Sequence, residues 1–301
     1  MRLITLIVAI ALVFASCGSG PAPDGSAAPV QTPAKTPTQA PAKGKAQAPA
    51  APGQIPVEKR AVVKFADGTV DEFTISEYDP SDITLLSAQN RFSASGGLMD
   101  QIEFTYNEDT KTVTTKMTRD DENRIKSRIV YVRDEGTNLL TRETVVNKAG
   151  KAVSTNEYSY NEAGNVVSRA ILNGNNIKLA ETVYTYKGNL VVSSKTQDGT
   201  GKPISSSTND YDRDGNLVSQ VLFNAAGAVT RKIATVWQIV SGKPVDIEIT
   251  QTAADGKPQL KITNEYGTAG ELLKKTVENY QGNSVQVMEF EYEFRPDRGR
   301  T

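Results

Sequence analysis

Apolar and polar side chains alternate along most of this chain, a pattern that predicts β-strands. In residues 245–250, Val245, Ile247 and Ile249 are apolar and the residues between them are polar. In residues 286–294 the apolar and aromatic side chains again fall mainly on one face. A period of two places alternate side chains on opposite faces of a strand. The pattern therefore predicts a half-buried antiparallel sheet with one core face and one wet face.

Clusters of Asn, Asp and Gly separate the predicted strands. Residues 161–165 read Asn-Glu-Ala-Gly-Asn, and residues 212–216 read Asp-Arg-Asp-Gly-Asn. A second set follows about ten residues later, as in residues 147–150, 224–227 and 254–257. These residue types tolerate the positive φ angles that hairpin turns require. Two turns and two strands in each unit predict an antiparallel meander.

Aromatic residues recur at a nearly constant interval, with spacings of 28, 25, 29, 26, 25, 26, 29 and 26 residues. Such a period indicates an array of one supersecondary unit, here about eight to nine two-strand repeats. A single sheet of that size must hide its apolar face, so we expect it to curl into a half-open trough or a barrel-like sheet. The aromatic residues are Tyr78, Tyr106, Tyr131, Tyr160, Tyr186, Tyr211, Trp237, Tyr266 and Tyr292.

One segment fits two interpretations. Residues 79–82, Asp-Pro-Ser-Asp, have the cap and the proline of a helix start. The repeat frame instead aligns residues 85–87 with residues 217–219, and we favour this reading of a diverged repeat. Residues 62–70, with a turn at Asp67 and Gly68, are interpreted as a leading half-repeat that caps the array.

The repeats resemble the YD (RHS-type) family, whose pattern is Tyr-x-Tyr-Asp/Asn-x-x-Gly-Asn-Leu. Residues 158–166 and 209–217 match it best, and the resemblance covers roughly residues 75–294. It implies a strip of hairpins that encloses or binds something. In large members of the family such strips form a shell around a toxin, but this chain is too short for that and has no toxin domain.

The N-terminus has the features of a lipoprotein signal. An apolar run of 12 residues, residues 3–14, is too short to span a bilayer, and the sequence Phe-Ala-Ser-Cys ends at Cys17. This stretch resembles a bacterial lipobox, which implies a signal peptide over residues 1–16 and acylation of Cys17. A plain secretory signal with a chance cysteine is the alternative. Multiple acyl chains would anchor the protein stably in a membrane.

Residues 17–55 differ in composition from everything that follows. Proline and alanine dominate this stretch, so we expect a disordered tether between Cys17 and the domain. At ~3.1 Å per residue it reaches at most ~120 Å. The predicted β-repeat domain comprises residues 56–301.

The amino-acid composition argues against two classes of function, enzymes and nucleic-acid-binding proteins. The chain has no histidine and one cysteine, which removes the usual catalytic base and the common zinc ligands. No phosphate-binding loop is present. We therefore predict no enzymatic activity and no obligatory cofactor. The net charge of −1 without a basic run argues against nucleic-acid binding.

Asp210, Asp212 and Asp214, followed by Gly215, match the start of a calcium-binding loop. The bidentate glutamate expected eleven positions after Asp210 is missing, because Val221 stands there. The same residues are explained by the repeat turn, which is the stronger interpretation.

Two pairs of tyrosines are candidates for ligand binding. Tyr158 and Tyr160 lie two residues apart, as do Tyr184 and Tyr186, so each pair shares one sheet face. They are expected either to line a surface that accepts glycans, peptides or acyl chains, or to form the aromatic core ladder of the repeat.

These observations predict a lipid-anchored cell-envelope protein, most consistent with the outer membrane. We expect a non-enzymatic binding or scaffolding module, with adhesion at the cell surface as one form of it. The alternative is a periplasmic carrier of lipid or another hydrophobic cargo in a half-open β trough. The partners would be the membrane, through Cys17, and a protein, glycan or lipid ligand.

Overall fold

A computed structural model of the protein describes residues 54–296. The predicted signal peptide, Cys17 and the tether up to residue 53 lie outside the described residues. The proposed domain boundary at residue 56 falls two residues after the first described strand begins.

All regular structure in this range is β-strand, as the alternation predicts. The strands are β1 Gln54–Phe65, β2 Val70–Tyr78, β3 Leu86–Ser93, β4 Leu98–Tyr106, β5 Val113–Asp120, β6 Ile125–Arg133, β7 Leu140–Val146, β8 Ala152–Tyr160, β9 Val166–Asn173, β10 Lys178–Lys187, β11 Leu190–Asp198, β12 Pro203–Tyr211, β13 Leu217–Asn224, β14 Val229–Val240, β15 Lys243–Ala253, β16 Pro258–Tyr266, β17 Leu272–Asn279 and β18 Ser284–Pro296.

Each strand pairs antiparallel with the next one, and β1 pairs antiparallel with β18, so the sheet closes into an 18-stranded barrel. Across the closing pair Val62 faces Glu289. The half-open trough was therefore wrong, and the barrel-like alternative was right. An open meander leaves unpaired edges on its first and last strands, and pairing them with each other satisfies both.

The eighteen strands of the meander form nine two-strand repeats. At one end of the barrel, which we call the tyrosine end, an even-numbered strand finishes and the next odd-numbered strand begins. At the other end, the opposite rim, odd-numbered strands finish and even-numbered strands begin. Both kinds of turn use glycine at positive φ, for example Gly164 at 77° and Gly227 at 77°. This confirms the two-turn repeat.

The structure shows which interpretation is correct for residues 79–87, for the leading segment and for the third repeat. Residues 79–85 form a loop, and β3 follows, which confirms the diverged repeat over the helix. The leading segment is a complete hairpin, β1 and β2, rather than a half-repeat, because its first strand is the one that closes the barrel. In the third repeat the strand ends at Arg133, so the true repeat position is two residues after Tyr131.

The barrel is hollow. No side chain within residues 54–296 is fully buried, as a packed interior would require, and the strands of this range with extensive close backbone contact are hydrogen-bonded neighbours. Eighteen strands at a spacing of about 4.8 Å give a perimeter of about 86 Å, which is about 27 Å across if round. Barrels of sixteen to eighteen strands are wide enough to leave a water-filled interior.

The two faces of the wall differ in exposure. In β14, Ile233, Thr235 and Trp237 are half-buried, whereas Ala234 and Val236 between them are exposed. A cavity of about 300 Å³ also opens on the tyrosine-bearing face and spans strands β18 and β1 to β4. Side chains converge on the concave side of a curved sheet, so we identify this face as the inner face.

Candidate binding site

The aromatic residues at the tyrosine end have a structural role. The Tyr160 hydroxyl donates to the carbonyl oxygen of Leu140 at 2.6 Å, and the Tyr186 hydroxyl donates to that of Val166 at 2.8 Å. Both acceptors lie at the start of the neighbouring odd-numbered strand. Burial is the main cause that raises the pKa of both hydroxyls. Tyr160 and Tyr186, predicted as ligand contacts, are therefore part of the barrel framework.

Tyr158 belongs to a different arrangement on the inner face. Its hydroxyl donates to Glu143 Oε2 at 3.0 Å, and the Asn156 side-chain amide donates to the same oxygen at 3.2 Å. Arg169 Nε donates to Asn156 Oδ1 at 3.3 Å. We call Glu143, Asn156, Tyr158 and Arg169 the inner polar cluster. Burial, followed by the nearby Glu143 carboxylate, raises the pKa of Tyr158.

Two further tyrosines lie beside the inner polar cluster. Tyr131 pairs with Glu143 across strands β6 and β7, and burial together with the Glu143 charge raises the pKa of its hydroxyl. On the other side Arg169 pairs with Thr182 of β10, which places Tyr184 one inner-face position further along that strand. The cluster is thus flanked by aromatic side chains from β6 and β10.

A second charged group lies on the inner face near the closing seam. Arg91 forms an ion pair with Asp100, donating through Nε to both carboxylate oxygens at 3.2 Å, and its Nη1 pairs with Glu72 at 2.8 Å. Asp100 is buried, and hydrogen bonding to it is the main cause that raises the pKa of Arg91. The paired charges line the 300 Å³ cavity together with Phe290.

Of the three aspartates proposed for calcium, Asp212 and Asp214 belong to a turn and Asp210 lies in strand β12. Asp212 Oδ1 accepts from the backbone N–H groups of Asp214 at 2.9 Å and Asn216 at 2.8 Å. Asn161 makes the same pair of bonds to Ala163 and Asn165 in the equivalent turn. Hydrogen bonds, first from the Asn216 side chain, lower the pKa of Asp212. The turn accounts for the Asp212 carboxylate without a cation, and calcium binding stays a prediction.

Residues 54–296 contain no group of three or more His, Cys, Asp or Glu side chains arranged to hold a metal ion. In the same part of the chain no helix is long and apolar enough to cross a lipid bilayer.

Sequence reasoning missed the charged members of the inner face. Glu143, Arg169, Arg91 and Asp100 occupy positions where the alternation predicts core residues. The sequence signal that could have identified them is the presence of charged residues on the same strand face as the tyrosines. They indicate that this face meets water instead of a packed core.

No protein-family model matches the chain, and no curated protein matches it. Among solved structures the chain is similar to the TcdB2-TccC3-Cdc42 complex, with 12% identity and a TM-score of 0.32, over 76% of this chain. It spans only 14% of that chain. A porin-like protein from Bacteroides uniformis matches with 10% identity and a TM-score of 0.41, over 81% of this chain and 99% of that one.

A porin-like protein from Bacteroides vulgatus matches with 11% identity and a TM-score of 0.32, over 78% of this chain and 98% of that one. Identities and TM-scores this low do not support any inference about function.

Proposed function

We propose that this protein is a non-enzymatic binding module of the cell envelope and that the inner face of its barrel binds a glycan. The observation that carries the proposal is the inner polar cluster of Glu143, Asn156, Tyr158 and Arg169, which lies in an open interior beside Tyr131 and Tyr184. Adhesion at the cell surface is one form of this binding function.

The side chains of this region suit a polyhydroxylated ligand. Aromatic rings offer an apolar face and a polar edge, which fits the mixed surface of a sugar. The carboxylate, amide and guanidinium groups supply acceptors and donors that are already held in place by one another, at 3.0–3.3 Å. Preorganised groups lose less side-chain entropy when a ligand binds.

The same side chains disfavour the lipid-carrier alternative. An acyl chain in the interior would displace water from Glu143 and Arg169 without replacing their hydrogen bonds. Burying polar groups in this way costs several kcal/mol, of the order of 2–7 for each unsatisfied group. A lipid carrier is expected to have a continuous apolar lining, and charged residues interrupt this one at Arg91 and Asp100 as well.

The cellular setting follows from the N-terminal sequence. We propose that Cys17 is acylated after removal of residues 1–16 and that the proline-rich tether holds the barrel at the outer membrane. The supporting residues are the apolar run and Cys17 itself. Mass spectrometry of the N-terminal peptide from a bacterial membrane fraction tests this directly, because acylation adds the mass of the lipid to Cys17.

Ligand binding is tested with the mature chain, residues 17–301, carrying Cys17→Ser so that no acyl chain is present. We expect this protein to bind selected oligosaccharides on a glycan array. Tyr158→Ala and Arg169→Ala are expected to reduce the affinity for those glycans by about tenfold or more each, as for interface residues worth over 1 kcal/mol. Tyr280→Ala, an exposed tyrosine at the opposite rim, is the control.

Native mass spectrometry of the same protein separates the two candidate functions. An apolar adduct that is released on denaturation, together with no glycan binding, would favour the carrier. Glycan binding that survives both inner-face substitutions would contradict the inner face as the site.

A further inference from the structure

The outer face carries an apolar stripe at the opposite rim. Val153 of β8, Leu179 of β10 and Ile204 of β12 are 51%, 50% and 45% exposed. Ile177, in the turn that precedes Leu179, is 59% exposed. We call these four residues the apolar stripe. They lie at the beginnings of three successive even-numbered strands, about 10 Å apart from one even-numbered strand to the next, and so form one row on one side of the barrel.

The repeat does not require apolar residues at these positions. Val153, Leu179 and Ile204 are each the second residue of an even-numbered strand, where the register shifts by one residue against the preceding strand. The second residues of β6, β14 and β16 are polar. Met99 and Val285 are also apolar at this position, but each is isolated, because both neighbouring even-numbered strands carry a polar residue there. The hairpin therefore folds equally well with a polar side chain there.

The charges around the stripe are unevenly distributed. The turns that border it carry Lys148, Lys151 and Lys202 against a single acidic residue, Asp198. Elsewhere on the same rim three turns carry no charged residue, and the other three together carry four acidic and two basic residues. The acidic residues of these turns are Asp67, Asp121, Glu122 and Asp255, and the basic residues are Arg124 and Lys257. The apolar stripe thus lies beside the most cationic turns of this rim.

We propose that the apolar stripe and its bordering lysines dock on the anionic surface of the membrane that anchors the protein. An apolar surface edged by lysines is the composition that binds the interface of anionic bilayers. Along each strand the stripe extends over one outer-face position, because the next outer-face residues away from the rim are the polar Thr155, Glu181 and Ser206. A row of this depth, with its turns, matches an insertion of about 5–10 Å into the headgroup region.

The tether permits this orientation. β1 begins with Gln54 at the tyrosine end, the end away from the stripe, and its twelve residues run toward the opposite rim. At about 3.4 Å per residue β1 spans about 40 Å. Residues 18–53 reach at most about 110 Å in extended form, which is enough to return from the bilayer to Gln54. This part of the argument rests on the proposed acylation of Cys17.

Vesicle flotation tests the docking. The mature chain with Cys17→Ser is mixed with vesicles of phosphatidylglycerol and phosphatidylethanolamine, or of phosphatidylcholine alone. We expect flotation with the anionic vesicles. The triple variant Val153→Ser, Leu179→Ser and Ile204→Ser is expected to lower the partition coefficient by at least about tenfold, because its apolar area no longer leaves water.

The matched control replaces Val132, Val236 and Ile239 with serine. These residues are 47%, 48% and 63% exposed and lie toward the tyrosine end. The control is expected to float like the unsubstituted chain, and circular dichroism checks that both variants fold. A third variant, with Lys148, Lys151 and Lys202 changed to glutamine, is expected to lose the preference for anionic vesicles.

Several outcomes would overturn the proposal. They are an absence of flotation, an equal loss in the stripe and control variants, and self-association in sedimentation that only the stripe variant abolishes. The last would identify a second copy of the chain as the occupant. A failure of glycan binding would leave flotation unchanged, and an unacylated Cys17 would be seen in the mass of the N-terminal peptide.

Discussion

The hydroxyl of Tyr160 donates a 2.6 Å hydrogen bond to the carbonyl oxygen of Leu140, which lies 20 residues earlier in the chain. Leu140 is the first residue of β7, and it pairs with the last residue of β6 where the register shifts. The Tyr160 side chain therefore links the end of β8 to the start of β7, the other strand of the same hairpin. The same 20-residue relationship recurs along the barrel. It is made by Tyr106, Tyr186, Tyr211, Trp237 and Tyr266.

Replacing this hydroxyl should destabilise the barrel. Tyr160→Phe keeps the ring and removes the donor, so the free energy of unfolding is expected to fall by about 1 kcal/mol. Urea denaturation followed by circular dichroism measures the change. Tyr280→Phe is the control, because Tyr280 is exposed and its hydroxyl donates to the nearby Glu278 side chain instead of to a strand carbonyl. An equal effect of both substitutions would show that the 20-residue bond contributes nothing specific.

The third repeat offers the converse experiment. Arg133 occupies the aromatic position, its Nη1 donates to the Asn138 carbonyl oxygen at 3.1 Å, and its Nε is buried without a partner within the described residues. Arg133→Tyr should supply the missing bond to the carbonyl of Val113, 20 residues earlier. We expect a gain of about 1 kcal/mol in the free energy of unfolding. Arg133→Leu, which has no donor, should not give this gain.

High pH should weaken the barrel through its tyrosines. Burial, followed by the nearby Glu58 and Glu271 charges, raises the pKa of Tyr292 to about 12, above the ordinary value of 10.0. The fold favours the protonated hydroxyl, so this stabilisation is complete below pH 10 and is lost as the pH rises from 10 through about 12.

Urea denaturation between pH 8 and 12, combined with tyrosinate absorbance, follows this loss. Tyr292→Phe should show a shallower decline in stability above about pH 10, since it removes one linked proton. An unchanged slope would contradict the contribution of this side chain.

Much of the architecture was predictable because its determinants are local. Turn residues such as Gly164 and the alternation of side chains in β16 each act within one hairpin. They correctly predicted the meander, and the upper end of the predicted eight to nine repeats matches the eighteen strands. Closure was not predictable in the same way. It depends on β1 meeting β18, for example Arg60 with Glu291 at 3.4 Å and 231 residues apart, and no local pattern encodes that distance.

The candidate site was predictable only in part. The two-residue spacing correctly placed Tyr158 and Tyr184 on the same face, but it could not separate them from Tyr160 and Tyr186, which bond to the backbone. That distinction depends on which neighbouring carbonyl lies within reach. Glu143 lies 15 residues from Tyr158, and only the strand register brings the two together.

Asp212 can be tested as a turn residue against the calcium interpretation. Asp212→Asn should change the free energy of unfolding by less than about 0.5 kcal/mol, because Asn161 fills the same role in an equivalent turn. Calcium or a chelator should leave the melting temperature unchanged. A calcium-dependent rise that disappears in Asp212→Asn would instead establish a cation site.

Closure of the barrel can be tested by a disulfide across its seam. Val62 of β1 and Glu289 of β18 are register partners, and in a Cys17→Ser background the chain has no other cysteine. Paired strand positions place Cβ atoms about 4.5–5.5 Å apart, close to what a disulfide needs. We therefore expect Val62→Cys with Glu289→Cys to form an intramolecular disulfide on mild oxidation, detected by mass spectrometry of proteolytic fragments.

Val62→Cys with Glu248→Cys, on β15, should remain reduced because three strands separate the two residues. If neither pair cross-links, β1 and β18 do not meet in solution and the sheet is an open trough.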